Sequence, residues 1–184
     1  IAEFWRGTKY VKILFLLNYH QYSGDYKIRV DDVSLTSVPE SYTGPTSADG
    51  RFGKGYAFDG KDDYVSVVNP SNLSFGEEDF SISSWIYPES FENDQNSIGI
   101  INKIVANSPN GHGWFLMFLG GEGKLMFRIT NDTIITQVAS NETLSLNEWY
   151  HVVAVREGGK ISLFVNGRPV GTSEGELFNV DNSG

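Results

Sequence analysis

Cysteine is absent from the 184 residues. Disulfides, thiolate metal sites and cysteine nucleophiles are therefore excluded, although this absence identifies no compartment. No run approaches the roughly 18 apolar residues of a membrane-spanning helix, so insertion into a bilayer is not expected. The most apolar stretch, Val11 to Leu17, is strand-sized and closes at Asn18. Basic residues are few: 14 Lys and Arg against 23 Asp and Glu give a formal net charge of −9. They are scattered and form no stripe able to neutralise phosphates, so nucleic acid is not an expected partner. The three histidines, His20, His112 and His151, lack the spacing of zinc ligands. No secretory leader is present and the chain begins with Ile1, as expected of a processed mature chain or a piece of a longer one.

A composition 40% hydrophobic and 14% aromatic supports a packed core rather than disorder. The length fits one domain, or one domain with part of a neighbour. Helical periodicity is missing, whereas period-two alternation recurs. Phe80, Ile82, Ser84 and Ile86 alternate with Ser81, Ser83, Trp85 and Tyr87, and Pro88 ends the run. Trp149, His151, Val153 and Val155 alternate with Tyr150, Val152 and Ala154, and the first set is expected to face the core with Trp149 buried. Gly158-Gly159 turns into Ile161, Leu163 and Val165, then Asn166-Gly167 supplies a type I′ hairpin signal, which needs positive φ at both positions. Trp114 to Leu119, apolar on both faces, reads as a central strand leading through Gly120 to Gly123 into Leu125, Phe127 and Ile129. A further strand is expected over Ile134 to Val138. Many short strands joined by Gly and Asn turns predict an all-β, antiparallel sandwich or barrel. Residues 1–37 read as two N-terminal strands, Tyr10 to Leu17 and Tyr26 to Leu35, with a bulge at Asp31-Asp32; residues 38–50 read as a linker and 51–184 as the main domain.

Three blocks carry a resemblance: Gly50-Arg51-Phe52-Gly53-Lys54-Gly55-Tyr56-Ala57-Phe58-Asp59-Gly60-Lys61-Asp62-Asp63-Tyr64-Val65, Phe80 to Pro88, and Asn147 to Val155 followed by Ile161 to Gly167. In this order they resemble a laminin-G-like, concanavalin A-type jelly roll across about residues 50–175. The resemblance implies two antiparallel sheets, often a structural calcium ion, a secreted or cell-surface location, and a glycan or an extracellular protein as partner. It also implies a closing strand that the main domain lacks. Gly24 to Leu35 resembles that strand displaced to the other end, or the last strand of a preceding jelly-roll carbohydrate-binding module.

The chemistry-bearing residues are sparse. Glu77-Glu78-Asp79 is contiguous in a turn, and Glu174 and Glu176 alternate without a third acid, so neither makes the convergent carboxylates of a glycan hydrolase. No phosphate loop or Ser-His-Asp signature appears, and the chain is not expected to be an enzyme. Asp59, Asp62 and Asp63 cluster in the first tight turn and could ligate calcium through hard oxygens, joined by Asp31 or Asp32 where the resemblance of Gly24 to Leu35 to the closing strand holds; the alternative is that Asp59-Gly60 only shapes the turn. Trp85, Tyr87 and Trp114 are candidates for stacking on sugar rings, with Trp5 as a further one, and core packing is the alternative for each. Asn72, Asn131 and Asn141 begin glycosylation-type triplets that lean toward export. The expected function is a non-catalytic extracellular recognition module, carbohydrate-binding or adhesive. The alternative is a structural subunit that assembles with other copies of itself by strand exchange.

Overall fold

In the computed structural model, the structure describes residues 11–12, 44–60, 63–65, 73–91, 97–105, 111–119 and 121–181. Among the described residues eleven strands follow one another with almost no helix: β1 (Val11–Lys12), β2 (Thr46–Asp49), β3 (Lys54–Ala57), β4 (Phe80–Ile86), β5 (Ser97–Val105), β6 (His112–Leu119), β7 (Lys124–Asn131), β8 (Ile134–Ala139), β9 (Tyr150–Glu157), β10 (Lys160–Val165) and β11 (Arg168–Glu174). They form a five-stranded sheet in the order β1-β4-β9-β10-β11, a four-stranded meander β5-β6-β7-β8, and the small hairpin β2-β3. Every pairing is antiparallel.

The two large sheets bury their inner faces in one core. Phe80, Ile82 and Ile86 of β4 meet Trp114, Leu116, Phe118, Leu125, Phe127 and Ile129 of β6 and β7. The alternation read in β4 is observed as a strict inward-outward pattern, as a half-covered strand requires. Asn166 and Gly167 adopt φ of 50° and 77°, matching the turn expected between β10 and β11. Asn166 Oδ1 accepts from the His151 N–H at 2.9 Å, tying that turn to β9. The sheets join at a corner where β11 passes β8: the Asn141 N–H donates to the Val170 carbonyl at 2.7 Å. A Cβ on Gly171 would lie 2.6 Å from the Ala139 carbonyl oxygen, so only glycine permits this approach.

Three expectations need correction or comment. The phase of β9 is the reverse of that read from sequence. Tyr150, Val152, Ala154 and Arg156 point inward, while His151, Val153 and Val155 lie on the outer face. Both faces of β9 carry apolar residues, so pattern alone did not decide; pairing with β4, Ile82 to Ala154 and Ile86 to Tyr150, did. Trp149, half-buried, precedes the strand on the outer side. The stretch expected to be a linker holds β2, which pairs with β3 from Thr46↔Ala57 to Asp49↔Lys54. Its Pro, Ser, Thr and Gly content suggested coil, but a short hairpin with β3 supplied cross-strand pairing that residue propensity does not register. Within residues 1–37 the described part is β1, which pairs with β4 of the same chain through Val11↔Ile86 and Lys12↔Trp85. The strand expected over Tyr26 to Leu35 lies outside the described residues.

Candidate functional site

Side chains two apart on a strand share a face, so the outward phase of β4 and β9 assembles an aromatic surface. Trp85 and His151 are register partners and stack with ring centroids 5.2 Å apart at 27°. One step along, Tyr87 and Trp149 sit 5.2 Å apart at 48°. The β2–β3 turn brings Phe52, 64% exposed, edge-on to Trp85 at 5.5 Å. The Arg51 guanidinium carbon lies 5.4 Å from the Phe52 ring centre and 5.7 Å from that of Trp85. Trp85 and Tyr87, two of the candidate stacking residues, thus lie on one face of the sheet. Phe52, His151 and Trp149 were missed, because only tertiary structure brings the hairpin turn to β4.

His151 Nε2 lies 3.3 Å from Ser83 Oγ, and burial lowers the imidazole pKa below its ordinary value. The unfolded chain therefore binds more protons between the folded-state pKa and the unfolded value of about 6.5. This contribution to stability is full above that window and is lost as pH falls through it. Denaturation midpoints should fall as the pH drops below the unfolded-state value of about 6.5, and His151→Gln should flatten the dependence. An unchanged slope in the variant would assign it to other groups.

Trp114 does not join this surface. It is 1% exposed and packs with Phe75 and Phe80 at centroid distances of 6.1 and 6.0 Å, so it offers no face to a sugar. The inward phase of β6, with Leu116 and Phe118, decides its position. At the acidic turn, Asp63 is 7% exposed and its Oδ2 accepts from the Asp59 N–H at 2.8 Å. That is a turn-shaping role. Asp62 and Asp32 lie outside the described residues, and among those described no group of three His, Asp or Glu could hold a metal. Of the glycosylation-type asparagines, Asn141 is exposed. Asn131 Oδ1 accepts from the Ile134 N–H at 3.1 Å and shapes the β7–β8 turn. Asn72 lies outside the described residues, as does Trp5.

The outer face of the four-stranded sheet carries a second constellation that sequence reading overlooked. Asn102, Phe115, Arg128 and Gln137 are successive register partners across β5, β6, β7 and β8. Arg128 donates to Gln137 Oε1 from Nε at 2.9 Å and from Nη2 at 2.5 Å, with its guanidinium carbon 5.2 Å from the Phe115 ring centre. The available signal was Arg128 itself, a charge between Phe127 and Ile129 in the apolar middle of β7.

The family model of the concanavalin A-like lectin/glucanases superfamily matches residues 59–183. No curated protein matches the chain.

Proposed function

Because the chain belongs to the concanavalin A-like lectin/glucanases superfamily, we propose that it is a non-catalytic recognition module that binds carbohydrate outside the cell. The observation that carries this reading is the aromatic surface of β4 and β9. Aromatic rings present apolar faces and edges to the C–H groups of a sugar, and nearby polar groups fix its orientation. Here Phe52, Trp85, His151, Tyr87 and Trp149 supply the rings, while Ser83 and Arg51 supply hydrogen-bonding groups. Adhesion to a glycan-coated surface is the same chemistry in another setting.

The non-catalytic part of the reading is supported by the work already given to the acidic residues. Asp79 Oδ1 accepts from the Gly158 N–H at 2.6 Å, and Glu174 lies 4.0 Å from Lys160 at the far end of β11. Neither belongs to the aromatic surface.

A glycan array probed with the intact chain should return a defined set of bound sugars. Trp85→Ala should weaken that binding by at least about tenfold, equivalent to about 1.4 kcal/mol, with little change in fold. Two outcomes would sink the reading: no glycan retained by the unmodified chain, or equal binding by the folded Trp85→Ala protein.

A further inference from the structure

We propose that Asn141 is an attachment site for an N-linked oligosaccharide, and that the fold favours this glycosylation-type triplet over the one at Asn131. The proposal rests on the export contained in the reading above and not on its sugar binding.

Asn141-Glu142-Thr143 opens the connection between β8 and β9. The acceptor motif needs a hydroxyl two residues after the asparagine and no proline between, and both conditions are met. Two buried residues frame the triplet, Ser140 and Leu144. Ser140 Oγ donates to the Glu142 carbonyl at 2.6 Å. The Asn141 N–H donates to the Val170 carbonyl at 2.7 Å, and the Leu144 N–H to the Gly123 carbonyl at 2.9 Å. The backbone is thereby pinned, and between the pins the side chains of Asn141 and Thr143 stand exposed. Among the described residues no hydrogen bond holds either side chain. Glu142, between them, pairs with Arg168 at 3.1 Å. An oligosaccharide is bulky and hydrophilic, so the folded chain must leave its asparagine in water. Asn141 meets that demand.

Asn131 carries the same motif in a different setting. It is half-buried at the end of β7. Its Oδ1 accepts from the Ile134 N–H at 3.1 Å and from Thr133 Oγ1 at 3.3 Å. The amide and the hydroxyl of that triplet are thus spent on the β7–β8 turn.

The donor would be an oligosaccharide carried on a lipid diphosphate and supplied by the export machinery. Asn141 Nδ2 bonds to the anomeric carbon as the bond from that carbon to the diphosphate oxygen breaks. The lipid diphosphate leaves with the electron pair, one amide proton passes to a base, and nothing is oxidised or reduced. Asn141 borders β11, which lies three interstrand spacings from β4, about 14 Å. The attached glycan therefore leaves Trp85 open to a ligand.

The chain is secreted from a eukaryotic cell behind a cleavable leader, so that export is supplied and the result reads the site. Its intact mass should exceed that of the polypeptide by an oligosaccharide that a glycan-releasing amidase removes. Asn141→Gln and Thr143→Ala should each lose one oligosaccharide, Thr143→Ser should keep it, and Asn131→Gln should change nothing. The proposal is overturned if Asn141→Gln carries as much oligosaccharide as the unmodified chain. If Asn131→Gln also loses one, the distinction between the two triplets is wrong. On a glycan array the glycosylated chain and Asn141→Gln should give one profile. A profile altered by Asn141→Gln would refute the placement away from Trp85, whereas an array with no bound sugar counts against the binding reading alone.

Discussion

Arg156→Ala is expected to cost about 3–5 kcal/mol of stability, the range for removing one member of a buried charged network. Arg156 occupies an inward position of β9 and is 1% exposed. Its guanidinium donates to three carbonyls: Gly158 at 3.2 Å, Gly76 at 3.0 Å and Phe178 at 2.5 Å. Those carbonyls belong to the β9–β10 turn, the turn before β4 and the segment after β11, so one side chain clasps three parts of the chain. Burial lowers the Arg156 pKa, while Asp79, Glu77 and Asp181 push it back up. Beside it, Lys103 bridges Asp181 at 2.6 Å, and Asp181 Oδ2 accepts from the Gly76 N–H at 2.6 Å. Truncation would leave buried carbonyls without donors and a void where the stem lay. A urea titration should show the midpoint falling with the slope unchanged. A loss below about 1 kcal/mol would mean that water replaces the guanidinium at little cost.

Trp114→Ala should cost about as much, roughly 3–5 kcal/mol, as large-to-small changes in a packed core do. Trp149→Ala, on the half-buried outer side, should cost clearly less, about 1–2 kcal/mol. The pair tests the phase of β9 and the inward setting of β6 together. If the order of the two losses were reversed, Trp149 would face the core and the register between β4 and β9 would be displaced by one residue.

The fold was largely legible because alternation and turn chemistry act over a few residues. Phe80 to Ile86 alternates between apolar and mostly polar positions, and Asn166-Gly167 fixes its own dihedral angles. The sequence was silent where neighbours from distant segments decide. On β9, Val152 and Ala154 are about as apolar as Val153 and Val155, so the inward face was settled by β4. It was settled also by Arg156, whose charge suggests solvent until its three carbonyl partners are known. The candidate surfaces were half legible for the same reason. Trp85 and Tyr87 could be picked out by residue type, but Trp114 has the same type and lies in the core. The row of Asn102, Phe115, Arg128 and Gln137 comes from four strands and exists only once their register is set.

The pairing of β4 with β9 has a kinetic consequence. These neighbours are separated in the chain by the whole β5–β8 meander, whose pairings are between consecutive strands. Loop closure across that distance is entropically costly until the intervening strands have collapsed. The meander and the β9–β10–β11 hairpins can each nucleate on their own, whereas the β4–β9 seam must wait for both. The Trp85–His151 stack straddles that seam, so indole fluorescence from Trp85 should report the last step of folding. The polar row on the meander should be assembled well before the aromatic surface.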